Sequence, residues 1–184
     1  MPQFTIEGRM KGMADIHRNW LFEVSIPQIA NIVPSVSDEE QFIIRAKTAA
    51  IPDRTNTPIE SYFKGMKQWF PGRSEFGSTM VVGFEETEDQ KILTALYDWQ
   101  NIIFNIKAED ADAGHSLAPS KRDGQTTDVF IKMQKYDGSD MNNIVRLVNG
   151  WPTSVGEAAL DMAGNEAVRY ECTFQFDYWD LISA

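Results

Sequence analysis

The side chains of this 184-residue chain that could do chemistry are few: His17, His115, Cys172, and an acidic run of Glu85, Glu86, Glu88 and Asp89. A Ser–His–acid nucleophile could draw on Ser61 and His17 with one of many carboxylates, but no spacing singles out such a set. His115 sits in an Ala/Asp/Gly-rich stretch that cannot hold a base within reach of a substrate, so it reads as a solvated side chain. His17 precedes the first strand and reads as a capping or interface residue. The acidic run could hold a cation. Its place at the start of a predicted helix explains it without one, because exposed backbone N–H groups there favour carboxylates. Cys172 alternates with Phe174 and Phe176, the pattern of a small buried hydrophobe and not of a reactive thiol. Lys47, Lys64, Lys67 and Arg73 are interleaved with Tyr62, Phe63, Trp69 and Phe70, a mixture that a nucleic-acid stacking platform would use. The charge of the whole chain opposes that, and an intersubunit surface suits these residues better. Gly65, Gly72, Gly77 and Gly83 follow no phosphate-loop fingerprint. No catalytic, cofactor or metal site is expected, and no enzymatic activity.

Composition narrows the class further. The chain has 27 acids and 17 bases, a formal charge of −10, and the stretch 151–184 carries Arg169 as its one base. Such a balance is ill suited to gripping phosphates. One cysteine makes no intrachain disulfide, and two histidines make no three-histidine centre. A fold of this length buries roughly 70% of its extended surface, so it needs neither. No apolar run reaches the length of a bilayer span, and the first residues lack a secretion signal, so a soluble protein made inside the cell is expected. Eleven Phe, five Tyr and five Trp exceed what a monomer of this size needs and point to interfaces.

The elements read as follows. Residues 1–18 hold no period and predict an irregular arm. Trp20, Phe22, Val24 and Ile26 alternate with Leu21, Glu23 and Ser25 in a strand closed by Pro27. A second strand fits Gln41–Lys47. Residues 48–76 predict a long loop, with strand-like content at 59–70 turned by Pro71-Gly72, and Ser78–Phe84 alternates again. Ile92, Leu96, Trp99, Ile103 and Ile106 form one helical stripe, predicting a helix at about 87–106 with Thr87 and Gln90 as a capping box. Residues 108–127 predict a second long loop. Val129–Tyr136 and Asn143–Asn149 form a hairpin about Asp137-Gly138, its second arm broken at Gly150-Trp151-Pro152. One long strand closes the chain, with Val168, Tyr170, Cys172, Phe174, Phe176 and Tyr178 on the inward side and Arg169, Glu171, Thr173, Gln175, Asp177 and Trp179 on the other. The sum is a single mainly-β domain over 1–184, an antiparallel β-barrel or sandwich with one packed α-helix.

Five segments, RNWLFEVSI (18–26), IIRAKTAAIP (43–52), LYDWQNII (96–103), GWPTSVGEAALDM (150–162) and VRYECTFQFDYW (168–179), resemble the T4-like tail tube proteins of contractile-tailed bacteriophages. The match rests on Arg18, Asn19 and Phe22; on Lys47, Thr48, Ile51 and Pro52; on Trp99; on Trp151, Pro152, Val155, Gly156 and Glu157; and on Asp177, Tyr178 and Trp179. It departs from the family pattern at Gly72-Arg73-Ser74-Glu75-Phe76, where Ser78 stands in place of a usual Trp, and in longer loops at 27–41 and 108–127.

The resemblance implies a hexameric ring that stacks on other rings into a hollow tube within a contractile sheath. It implies a virion tail-tube location, assembly in the host cytoplasm as a late structural protein, and DNA ejection through the bore. The implied partners are further copies of itself, the sheath protein, a tape-measure protein, baseplate or tail-terminator proteins, and DNA in non-specific passage, without membrane insertion or a cofactor. A baseplate tube-initiator or the inner tube of a phage-like injection particle would serve similar roles, and a monomeric β-rich ligand-binding module is an alternative of another class. Pairing of edge strands between neighbours would turn an aggregation hazard into ring closure.

Overall fold

The computed structural model describes residues 20–36, 40–103, 124–135, 140–158 and 166–183. Strand β1 (Phe22–Ser25) is followed by short helices α1 (Ile29–Ile32) and α2 (Glu40–Arg45) and by strand β2 (Ala46–Ala49). Four short strands come next: β3 (Arg54–Asn56), β4 (Ile59–Phe63), β5 (Met66–Phe70) and β6 (Ser74–Phe76). After β7 (Thr79–Glu85) comes helix α3 (Lys91–Ile103), then β8 (Thr127–Gln134), β9 (Asp140–Val155), β10 (Arg169–Gln175) and β11 (Tyr178–Ser183).

The long strand β9 organises the sheet. Its first part lies between β8 and β11, so that Val145 faces Ile131 on one side and Leu181 on the other. Its last part pairs with β10, placing Trp151 opposite Gln175 and Val155 opposite Cys172. Between β10 and β11 the chain bends at Phe176 and Asp177, and the Asp177 N–H donates to the Val148 carbonyl at 3.0 Å, which carries the ladder through the corner. The ladder order is β1-β8-β9-β10-β7-β2, all antiparallel, with β11 also on β9. Two wings thus share one bent strand pair, a corner of the kind that switches a strand between packed sheets. Pro152 pairs with Phe174 of β10 next to the register shift at Thr173/Phe174, a bulge of the kind where a strand accommodates proline.

The fold is mainly β with one substantial helix, but no barrel closes. β1 and β2 end the path, no ladder joins them among the described residues, and α2 packs against β1 and β7 instead. The core is built by alternation, as half-buried strands require. Tyr170, Cys172 and Phe174 of β10 face Phe84, Val82 and Met80 of β7, and Val24, Val129, Ile131, Val145 and Leu147 complete the apolar layer. Helix α3 lays Ile92, Ala95, Leu96 and Trp99 onto it, and the Trp99 ring sits 6.0 Å from that of Phe174. The Trp99 Nε1–H donates to the Gln125 carbonyl at 2.7 Å, so the buried indole leaves no donor unpaired.

Several expectations need correction. Residues 40–45 are helical, not the start of a strand: six residues with Phe42 inward fit either period, and edge-to-face packing of Phe42 on Phe84 at 5.8 Å selects the helix. Trp20 does not join Val24 and Ile26 in the core; it is 62% exposed. Helix α3 begins at Lys91 and not at 87, and the capping box does not form. The carboxylate of Glu86 instead accepts from the N–H groups of Thr87 (2.8 Å), Ile92 (3.3 Å) and Leu93 (2.8 Å). Strand β9 runs through Gly150-Trp151-Pro152 without a break, and the closing strand divides at Asp177 between the two wings. Within 48–76, the strand-like content at 59–70 is β4 and β5, turned at Lys64-Gly65 and not at Pro71-Gly72, and β3 and β6 replace the loop expected around it. The arm 1–18, the helix beyond Ile103, most of 108–127 and the Asp137-Gly138 turn lie outside the described residues.

Trp99 is fully buried and hydrogen-bonded, so Trp99→Ala leaves a cavity and two lost partners. Urea denaturation should show a loss of about 3–5 kcal/mol. An unchanged midpoint would contradict the packing of α3.

Candidate functional site

Between β2 and β7 the chain leaves the body as a hairpin over 54–76. Its lower part pairs β3 with β6, Arg54 opposite Phe76 and Asn56 opposite Ser74, and the Thr57 N–H adds a rung to the Arg73 carbonyl at 2.8 Å. Its upper part pairs β4 with β5, Ile59 opposite Phe70 and Phe63 opposite Met66. Pro58 and Pro71 supply no donors and interrupt the ladder between the two parts. Gly72 permits the close crossing there, because a Cβ at that position would collide with the Thr57 carbonyl. At the tip Lys64 (φ 48°) and Gly65 (φ 80°) both have positive φ, as a tight two-residue hairpin turn demands.

The register assigns every side chain of the upper part to one of two faces. Ile59, Phe63, Met66 and Phe70 share one, with Ser61 and Gln68 between them. Glu60, Tyr62, Lys67 and Trp69 share the other, where the Lys67 ammonium lies 2.8 Å from Glu60 and 4.1 Å from the centre of the Trp69 ring. Both faces are open: Tyr62 is 70% exposed and Met66 65%, and β4 and β5 pair with each other alone. An isolated two-stranded ribbon is marginal in water, and this face exposes two apolar pairs on either side of Ser61 and Gln68.

The other candidate residues separate. The hairpin brings together Lys64 and Lys67 with Tyr62, Phe63, Trp69 and Phe70, while Lys47 lies apart on β2, 3.3 Å from Glu85. Ser61 is exposed on the hairpin, and His17 and His115 fall outside the described residues. Glu86 is spent on the α3 N-terminus, and no group of three or more His, Cys, Asp or Glu poised for a metal occurs among the described residues. Cys172 is fully buried, and burial pushes its thiol up to about 12. Burial also raises Tyr170, with the negative charge of Glu86 adding to it.

The outward faces of the two wings differ. On β10, Glu171 is exposed, Thr173 and Gln175 are half-buried beside it, and Asp177 stands exposed at the corner, accepting from the Asn149 amide at 2.8 Å. On the other wing each base has an acid. Lys132 lies 3.5 Å from Glu23, which also accepts from Gln134, and Arg146 makes a two-pronged contact with Asp180 at 3.0 and 2.7 Å. Ile144, which alternation in the second hairpin arm sets on the same face as Arg146, is buried. The acidic run at the helix start signalled the Glu86 cap, whose partners are the nearby N–H groups of α3, whereas the Arg146–Asp180 pair carries no local sequence signal because the β9–β11 register brings it together.

A family model described as "Phage tail tube protein" matches residues 17–182. The tail tube protein gp19 of Enterobacteria phage T4 is 25% identical over 168 residues, covering 90% of this chain and 92% of that protein. Among solved structures, the tube-terminating cap of the anti-feeding prophage superposes with a TM-score of 0.63 at 17% identity, covering 94% and 95% of the two chains. The sheath–tube complex of the extracellular contractile injection system PVC gives 0.58 at 18% identity, covering 96% and 97%.

The state of Cys172 is checkable. Burial lifts its folded pKa from the ordinary thiol value of 9.0 to about 12, so between the two the unfolded chain releases a proton that the folded one keeps. Stability should fall as pH rises through that window, and Cys172→Ala should remove this part of the slope. At pH 8 a thiol reagent should label the native protein far more slowly than the urea-unfolded chain.

Proposed function

This chain belongs to the phage tail tube protein family, and we propose that six copies close into a ring, that rings stack into a hollow tube within a contractile sheath, and that DNA passes along the bore. The observation that carries this reading is the uncovered hairpin 54–76, whose apolar face requires a second molecule to bury it. Charge favours another copy of the same chain. The hairpin holds Arg54, Lys64, Lys67 and Arg73 against Glu60 and Glu75, a net +2, which leaves −12 for the rest of a chain whose total is −10. A basic hairpin on an acidic body is complementary to its own copies. β1, β2 and β11 each have one strand neighbour, and edge pairing around a ring would satisfy them.

The bore must let phosphates slide without adhering. Six copies would carry a charge of about −60, and the outward face of β10 offers acids and amides through Glu171, Gln175 and Asp177. The opposite wing, with its bases matched by acids, would suit a wall equally well in charge. The sheath protein, a tape-measure protein and baseplate or terminator proteins are the further partners of this role, in a tail assembled in the host cytoplasm. A second reading, a tube or tube-end subunit of a phage-like injection particle, draws support from the fold shared with the anti-feeding prophage cap. Copy number per purified particle separates a main-tube subunit from a tube-end one, and DNA in the particle separates a phage tail from an injection particle.

Replacing residues 58–71 by a short turn should leave far-ultraviolet circular dichroism near that of the parent and abolish sedimentable tubes; an unchanged tube yield would refute the assembly role. Replacing Glu171 and Asp177 with Lys should leave rings intact but make tubes retain DNA, less so as salt rises. Retention equal to that of the parent would place these acids away from the bore.

A further inference from the structure

We infer that Trp179 is the positioning residue that aims the hairpin 54–76, by clamping its root to the core of the β9–β11 wing; the consequence for assembly rests on the role proposed above. Trp179 lies opposite the fully buried Leu147 in the β11–β9 ladder, so its indole stands on the core side of the wing and packs at the margin of the apolar layer. From there it holds both strands of the root. Its ring meets Phe76 of β6 edge-to-face, with centres 6.3 Å apart and planes at 83°. Its Nε1–H donates to the carbonyl of Asp53, next to β3, at 3.2 Å. That carbonyl also accepts the Gly77 N–H at 3.0 Å, the rung at which the two strands leave the body. The guanidinium of Arg54 covers the Phe76 ring at 5.1 Å, so Phe76 lies between a cation and the indole.

The geometry of a lever makes this contact consequential. Ten residues from Arg54 to Phe63 at about 3.3 Å each reach roughly 30 Å, and a 10° slip at the root would move the tip by about 5 Å. Close-packed surfaces do not tolerate such a displacement. Among the described residues the hairpin above its root pairs only with itself, so the direction in which it leaves the body is set where Asp53 and Phe76 meet Trp179. A hairpin held in one direction before it meets its neighbour also loses less freedom on docking.

The test uses the full chain with nitroxide labels at Gln68→Cys on the hairpin and Asn101→Cys on α3, the buried Cys172 remaining unlabelled. Pulsed electron resonance on dilute subunits reads the distance distribution, and sedimentation reads tube yield. Trp179→Phe keeps a ring against Phe76 but loses the donor, and Trp179→Ala loses both. The distribution should broaden roughly twofold in Trp179→Ala and less in Trp179→Phe, with tube yield falling about tenfold in Trp179→Ala. Should Trp179→Ala fail to fold, Trp179→Phe and Phe76→Leu, both with a parent-like urea midpoint, decide the matter by the same distribution. A width equal to the parent in the folded variants overturns the inference. Excision of 58–71 separates the two ideas. Tubes that survive excision defeat the assembly role and leave the distance measurement standing, whereas tubes lost on excision but kept at full yield in Trp179→Ala defeat the aiming role alone.

Discussion

The bent pair formed by β9 with β10 and β11 is the constraint on which the rest of the subunit depends. A strand as long as Asp140–Val155 could not stay in one flat sheet of this size and still cover a core. It turns at Asn149–Trp151, and its partner turns with it at Phe176–Asp177, so both wings inherit their relative angle from one continuous ladder. β8 and β1 extend the first wing; β7 and β2 extend the second. Helix α3 then fills the apolar face with Trp99 against Phe174, and Glu86, just past the end of β7, fixes where that helix starts. The hairpin is attached at both ends to this frame: the chain enters it from β2 and leaves into β7, while Trp179 of the other wing holds its root.

Charge is distributed by the same logic. On the wing bearing β8 and β11 the bases Lys132 and Arg146 are neutralised in place by Glu23 and Asp180, and Lys47 of β2 is held by Glu85. Such exposed pairs add little stability, but they match these three bases with acids on the body. The hairpin concentrates the opposite sign with its aromatics. A basic, aromatic hairpin on an acidic chain favours association through that hairpin over indiscriminate clumping.

Alternation made much of this legible. β7, β8 and β10 bury every second side chain, and a stripe at steps of three and four marks α3, because each has one face on the core and one toward water. Misreadings arose where two periods fit, as in the six residues of α2, or where punctuation misled. Pro58, Pro71 and Gly72 read as loop residues, yet they mark a crossing inside a hairpin. The division at Asp177 was hidden because alternating residue types run on through the corner, although the inward parity changes there: Phe176 is buried, Tyr178 is exposed and Trp179 faces Leu147. The residue types of the candidate surface were visible in Tyr62, Phe63, Lys67 and Trp69. Its root was not: Asp53 and Trp179 are 126 positions apart, and nothing local marks either as the other's partner.

The two faces of the hairpin also differ in what covering them would cost. The face of Ile59, Phe63, Met66 and Phe70 presents two neutral polar side chains, Ser61 and Gln68, so its burial gains apolar contact with little desolvation. The opposite face carries the Glu60–Lys67 pair, and taking both charges out of water would cost several kcal/mol per ion before their attraction and the Trp69 ring offset it. The apolar face therefore fits the centre of a contact, and the charged face fits a rim where water still reaches Lys67. Only one rotation of the hairpin about its axis satisfies both. That is why a root fixed by an indole clamp, and not by a pliant loop, suits a protein whose work is to repeat one contact along a tube.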